Sequence, residues 1–368
     1  MKYYIICGEA SGDLHGANLI KAIKQLDISA EFRVWGGDLM EAEGVVNVNH
    51  IKERAFMGFV EVIKNLLKIR TLIALAKTDI LDYQPDRLIF IDYPGFNLRI
   101  AEWAKEQGFK THYYISPKVW AWNTKRALKI KRIIDHLYVI FPFEVDFYKH
   151  YNYKVHYVGN PLVDAIEAFK PDVDFKIKNQ LSDKPILALL PGSRVQEIKS
   201  ILPVMLDSIE SYKDKFTIAL AVAPNFDLSY FNTFENIKDV KFIIGDTYNL
   251  LAVSHAALVT SGTATLETAL LNVPQVVCYK TSRLNAAIAK QVIKVKFISL
   301  VNLIMGKEIV KELLQNDLTT EKIRKELDKI INEPGRSEVL KNYKELKSIV
   351  GGSGASMRVA QLVVNAVE

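Results

Sequence analysis

The chain has 368 residues, 49% apolar and 24% charged, an ordinary globular mix that excludes disordered and fibrous classes and has room for two or three domains. Its net charge of +6 is shared evenly, +3 over residues 1–150 and +3 over the rest, without the basic tail or domain of a general nucleic-acid binder. Cys7 and Cys278 lie far apart and outside any CxxC, and no run of about 18 apolar residues occurs, so a disulfide framework, a cysteine-rich zinc site and a spanning helix are excluded and a cytoplasmic setting is expected.

Tyr3–Cys7 reads as a buried strand, followed by the turn Gly8-Glu9-Ala10-Ser11-Gly12-Asp13 and a helix from about Leu14 to Leu26. Glycines allow close backbone approach and a helix start favours an anion, yet the spacing is neither a dinucleotide fingerprint nor a P-loop. A tight turn with Asp13 as N-cap fits equally. Phe32–Trp35 is the next strand. The stretch Phe56–Lys77 is amphipathic and fits a core helix or one lying on an anionic membrane; Phe56-Met57-Gly58-Phe59-Val60 is apolar over more positions than one helical face needs.

Arg87–Ile91 is a further strand, ending in Asp92-Tyr93-Pro94-Gly95-Phe96-Asn97. A carboxylate held there among apolar and aromatic groups gains a raised pKa and suits a general base; a turn-forming aspartate before Tyr-Pro is the other reading. A helix near Leu98–Gln107 and strands at Thr111–Ile115 and Leu137–Ile140 continue the pattern. From Gln107 to Ile134 there are seven basic residues and no acid, beside Ser116-Pro117-Lys118-Val119-Trp120-Ala121-Trp122. That mixture fits stacking on nucleic acid, a membrane interface or a solvated basic face.

Ala165–Pro185 turns charged and reads as a linker, after which the pattern restarts with strands at Ile186–Leu190, Thr217–Ala221, Lys241–Ile244, Ala257–Thr260 and Gln275–Tyr279. Pro191-Gly192-Ser193-Arg194 puts an arginine at the mouth of a helix that starts near Glu197, where a diphosphate gains charge and dipole stabilisation. Ser261-Gly262-Thr263 repeats this arrangement, with Glu267 one turn into its helix. Ala355–Val367 reads as a last helix. The fold class is α/β with two parallel sheets, and the cleft between them is the expected ligand site. No H-x-x-H, H-E-x-x-H or Gly-x-Ser-x-Gly occurs to suggest a metal site or a serine hydrolase.

Gly8–Asp13, Ile91–Asn97, Ser116–Trp122, Gly159-Asn160-Pro161, Leu189–Arg194, Ser261–Glu267, Val277–Lys280 and Ser299–Glu308 with Gln315 together resemble the lipid-A-disaccharide synthases, glycosyltransferases of the GT-B architecture. The resemblance runs over nearly the whole chain. It implies two Rossmann-like domains facing a cleft, at 1–170 and 183–350, with 351–368 forming a helix that returns to the first. It implies an inverting transfer that uses neither metal nor cofactor. The donor is UDP-2,3-diacylglucosamine, the acceptor 2,3-diacylglucosamine 1-phosphate (lipid X), and the products the β(1→6)-linked disaccharide 1-phosphate and UDP. The setting implied is the cytoplasmic face of the inner membrane, with no nucleic acid as partner and the oligomeric state open.

By the same resemblance Asp92 is the base. Arg194, Ser261, Gly262 and Thr263 meet the UDP leaving charge and Glu267 the ribose. Tyr279, Lys280, Asn302, Glu308 and Gln315 fall to the nucleotide or donor sugar, and Gly8, Ser11 and Gly12 to the donor phosphate or acceptor. Asn97, Ser116 and Trp120 complete the substrate-binding set, with the basic stretch Lys118–Arg132 available to the acceptor phosphate. Acyl chains cost about 0.8 kcal/mol per exposed CH₂, so Phe56–Leu67 and Lys118–Arg132 are expected to meet the anionic membrane surface. Two positions depart from the family: Gly95 stands where relatives can carry a second acid, and Val301 where the motif has proline. The rival readings are another GT-B enzyme of UDP-N-acetylglucosamine, a peptidoglycan transferase or a 2-epimerase, and a non-catalytic nucleotide-sugar or lipid binding protein.

Overall fold

Alternate side chains of the first strand enter different cores. Tyr4 and Ile6 join Trp35, Phe90 and Tyr113, whereas Tyr3, Ile5 and Cys7 join Leu19, Ile89 and Ile91. All five are fully buried, as a parallel strand covered on both faces requires. The computed structural model describes residues 1–54, 66–224, 226–282 and 295–366, the side chains at 53, 54 and 66 excepted. It divides into two compact units, Met1–Pro161 with Ser353–Glu368, and Leu162–Gly352.

The first unit holds strands β1 (Lys2–Ile6), β2 (Glu31–Trp35), β3 (Val46–Asn47), β4 (Arg87–Ile91), β5 (Thr111–Tyr114), β6 (His136–Val139) and β7 (His156–Tyr157). Their order across the sheet is β3-β2-β1-β4-β5-β6-β7, with every pairing parallel. The direction of winding reverses between β1 and β4, so the loops leaving those two strands border the switch point where such sheets bind ligands. The expected return of the last helix is found: Ala355–Val364 lies against the Ala10–Leu26 helix and adds Val359, Ala360 and Val363 to the Tyr3 core. Arg87 caps that helix by donating from Nε to Val363 O (3.3 Å) and from Nη2 to Ala366 O (2.8 Å).

The second unit holds β8 (Ile186–Leu190), β9 (Thr217–Val222), β10 (Lys241–Ile244), β11 (Ser254–Thr260), β12 (Gln275–Tyr279) and β13 (Lys311–Leu314) in the parallel order β10-β9-β8-β11-β12-β13. Its switch point lies between β8 and β11. The charged stretch after Ala165 is not a free linker. Phe175 is buried in the second core with Leu181, Phe169 packs edge-on against Tyr248 at 5.6 Å, and Asp172 N donates to Asn249 Oδ1 at 2.8 Å. The changeover at Pro161 therefore falls before the expected boundary at 170. Among the described residues no helix is long and apolar enough to cross a membrane.

Candidate active site

The first switch point brings the two N-terminal motifs into contact. A Cβ built on Gly8 would lie 2.1 Å from Cγ of Tyr93, so the ring is packed onto the glycine backbone and no larger residue fits. Asp92 and Tyr93 both have left-handed backbones, with φ 44° and 51°, a costly pair for non-glycine residues. Hydrogen bonds over-determine this turn. Asp92 O accepts from Asn97 Nδ2 (2.7 Å) and Tyr113 Oη (2.5 Å), Asp92 N donates to Tyr114 O (3.1 Å), and Asn97 N donates to Tyr93 O (3.0 Å). Pro94 then starts the Pro94–Glu106 helix, where its fixed φ suits the first position.

The turn leaves the Asp92 carboxylate without a side-chain hydrogen-bond donor among the described residues. Burial raises its pKa, the nearby Glu9 raises it further, and Lys118 with the backbone N–H of Tyr93 pulls it back. Such a group can accept a proton. Gly95 has open space where a Cβ would point, so a second acid there would fit sterically and is simply missing from this chain.

Several expected substrate ligands are spent inside the fold. Asn97 is fully buried and its Nδ2 also lies 3.4 Å from Ile6 O and 3.3 Å from Ile91 O, so it braces the Asp92 turn. Ser116 Oγ pairs with Tyr148 Oη at 2.7 Å, and Trp120 donates from Nε1 to Glu144 Oε1 at 3.1 Å. Asp13 is not the N-cap, which is Glu9. Its buried carboxylate accepts from the backbone N–H of Gly37 (2.7 Å), Leu39 (3.0 Å) and Met40 (3.1 Å) and fixes the loop after β2. Gly12 is buried and packs within 2.9 Å of Cys7 Cβ at its missing side chain, whereas Ser11 is exposed. The basic stretch is partly neutralised: Lys129 and Arg132 both reach Glu102 at 2.6 Å, and Arg126 stacks on the half-exposed Trp122 ring.

Glu144 escaped the sequence reading, although a carboxylate two residues after the Pro142 of Phe-Pro-Phe is a helix-start signal. It is fully buried and accepts from the N–H of Ile140 (3.1 Å) and Phe141 (3.0 Å) while holding Trp120. Burial pushes its pKa up to about 7, against the pull of those three donors. A carboxyl raised on folding binds a proton more tightly in the native state. Its contribution is therefore complete below about 4.5 and is lost as pH rises to about 7. Denaturant unfolding of wild type and Glu144→Gln should show it: the wild-type advantage shrinks by roughly 3 kcal/mol across that window. A constant difference would mean that Glu144 does not titrate there.

At the second switch point β8 and β11 present their loops side by side. Gly192 has φ +107°, a conformation that favours glycine, and turns the chain into the Val195–Ile209 helix with Arg194 as N-cap. Arg194 is 73% exposed and its Nη1 lies 3.2 Å from Glu197 Oε1. Tyr279, at the end of β12, shares this corner: burial raises its pKa, Glu197 raises it further and Arg194 lowers it. Gly262 is the N-cap of the Thr263–Leu270 helix, and no side chain of the described residues caps it. Ser261 Oγ donates to Ile298 O at 2.9 Å.

Glu267 lies inside that helix with Tyr248 Oη 3.0 Å from its Oε1. Burial raises its pKa and the tyrosine lowers it. Asn302 does not face outward. Fully buried, it accepts from the N–H of Ile309 (2.8 Å) and Val310 (3.1 Å) and donates to Val310 O (2.8 Å) and Glu312 Oε1 (2.9 Å). Glu312, unmarked by any motif, also accepts from Ile298 N (2.9 Å), Ser299 N (3.0 Å) and Ser299 Oγ (2.7 Å). Asn302 and Glu312 thus shape the segment that Ser261 touches. Val301 is buried in the Leu300–Met305 helix. Glu308 is exposed and paired with Lys311 at 3.1 Å, and Lys280 is exposed. Gln315 has a left-handed backbone, and its carboxamide faces the N–H and C=O of Thr281 at 3.3 and 3.2 Å.

One His/carboxylate group has metal-ligand spacing among the described residues: Asp38, Glu41 and His50, with ligand atoms within 4.8 Å. Lys52 Nζ already sits 2.9 Å from Asp38, and Lys52 N donates to His50 Nδ1 at 3.2 Å, so the carboxylate charge is met by an ammonium.

The fold is shared with the UDP-GlcNAc 2-epimerase of Neisseria meningitidis, solved bound to UDP-GlcNAc, at TM-score 0.68 over 99% of this chain and 100% of that one, with 15% identity. The glycotransferase of kitacinnamycin aligns at TM-score 0.67 over 100% and 99%, with 10% identity. Sequence relations are closer. The lipid-A-disaccharide synthase of Coxiella burnetii (strain Dugway 5J108-111) is 36% identical over 99% of this chain and 98% of its own length. That of Geobacter metallireducens is 37% identical over 98% and 96%. The family model described as lipid-A-disaccharide synthetase matches residues 3–363. A family match over nearly the whole chain, and relatives of that family more than a third identical along their full length, show that this chain belongs to the lipid-A-disaccharide synthetase family.

Proposed function

We propose that the protein joins UDP-2,3-diacylglucosamine to 2,3-diacylglucosamine 1-phosphate with inversion, releasing UDP. The observation that carries the mechanism is Asp92: a carboxylate at a strand end with a raised pKa, held by a backbone-bonded turn and not engaged by any described side-chain donor. It takes the proton of the acceptor 6-hydroxyl while that oxygen attacks the anomeric carbon of the donor. The bond to the β-phosphate oxygen breaks, and UDP leaves with the electron pair. Arg194 and the amides at Gly262-Thr263 meet the charge that develops on the diphosphate, and Glu267 accepts from the ribose hydroxyls. The fold neighbours include 2-epimerases, but at 15% identity that likeness speaks for the fold alone.

Both substrates carry acyl chains, so the reading includes peripheral attachment to the inner membrane. Its main candidate, Phe56–Leu67, lies outside the described residues except at its end, where Leu67 is 78% exposed. Leu75, on the Leu66–Tyr83 helix that also carries Leu67, and Leu128, on the Arg126–Ile133 helix, are also exposed. One assay covers both parts: UDP release from the diacyl donor, with and without lipid X, in detergent and on anionic vesicles. Release should require lipid X. Phe56→Asp with Phe59→Asp should lower it on vesicles and spare it in detergent. Release without acceptor would sink the transferase reading, and unchanged turnover on vesicles would sink the membrane segment.

A further inference from the structure

Tyr248 belongs to none of the sequence motifs, yet it holds the carboxylate assigned to the ribose. It lies in the short Thr247–Ala252 helix after β10, and its hydroxyl reaches Glu267 Oε1 at 3.0 Å. Phe169 packs edge-on against its ring at 5.6 Å, which fixes the ring without using the hydroxyl. We propose that Tyr248 is a positioning residue for nucleotide selection: its hydroxyl orients Glu267 and keeps it ionised, so that the site distinguishes a ribonucleotide diphosphate from its 2′-deoxy counterpart. The proposal rests on the ribose role given to Glu267.

The argument is one of hydrogen-bond capacity. An ionised carboxylate offers about four lone-pair sites and no proton, whereas a protonated one loses an acceptor and must place a donor. A ribose diol brings two donors, so Glu267 serves it only when charged. Burial works against that charge, and among the described residues Tyr248 is the one group that offsets it. Tyr248 also claims Oε1 from one side, which sets the plane in which the remaining lone pairs are offered. A site that hydrogen-bonds a hydroxyl penalises the analogue lacking it, because its own polar group is left unpaired.

Calorimetric titration with UDP and 2′-deoxy-UDP at pH 6 and pH 8 tests this on the full chain. The phosphates titrate alike in both ligands, so the ratio of the two affinities isolates the ribose contact. Wild type should prefer UDP at both pH values. Tyr248→Phe keeps the ring against Phe169; it should lose severalfold more of the preference at pH 6 than at pH 8, because without the hydroxyl the buried carboxylate is more easily protonated. Glu267→Gln should lose the preference at both. Wild-type behaviour of Tyr248→Phe, beside a loss in Glu267→Gln, would overturn the proposal and leave the ribose reading standing. An equal loss at both pH values in Tyr248→Phe would reduce Tyr248 to packing and also overturn it. A full preference in Glu267→Gln would sink the ribose reading itself.

Discussion

Asp92→Asn is expected to lower kcat by about a thousandfold, within the 10²–10⁴ range typical of a lost general base. The turn that carries residue 92 is held through its backbone: Asn97 and Tyr113 donate to its carbonyl and its N–H donates to Tyr114. A carboxamide of the same shape leaves those bonds in place, so folding and UDP affinity should stay near wild type. The loss therefore belongs to proton transfer. Wild-type kcat should fall on the acid side with an apparent pKa above the ordinary carboxylate value, since burial and Glu9 both disfavour the charged form. Turnover within threefold of wild type would remove Asp92 as the base.

Arg194→Ala is expected to lower kcat/KM by about 10²–10³-fold, the cost of removing one donor aimed at developing charge. The arginine is 73% exposed and its pair with Glu197 is solvent-screened, so thermal stability should barely change. Arg194→Lys keeps the charge but loses the planar fork, and should recover only part of the activity. Single-turnover UDP release measures the effect directly. An unchanged rate would move the diphosphate away from this loop.

Much of the architecture was legible in the sequence because buried parallel strands read as short apolar runs. Arg87–Ile91, Ile186–Leu190, Lys241–Ile244 and Gln275–Tyr279 were found with the bounds expected. Three of the four edge strands were not. Val46–Asn47 and His156–Tyr157 have two residues each and Lys311–Leu314 has polar members, since an edge needs little burial. The motifs located both switch points but did not separate residues that face outward from residues that brace the site. Asn97 and Asn302 sit in the right loops with their amides turned inward. The partners that hold the site, Tyr113, Glu144, Tyr248 and Glu312, lie at sequence distances that no local pattern connects.

The returning helix has a consequence for biogenesis. Residues 1–161 leave the ribosome first, yet Val359, Ala360 and Val363 close the face of β1 that carries Tyr3 and Ile5. At 5–20 residues per second, the roughly 190 residues between them take on the order of 10–40 s to synthesise. The second unit is continuous from Leu162 to Gly352 and has all its parts before the first one does. The chain therefore completes its later half first, and a nascent N-terminal half with an uncovered apolar sheet is the species that chaperones must shield.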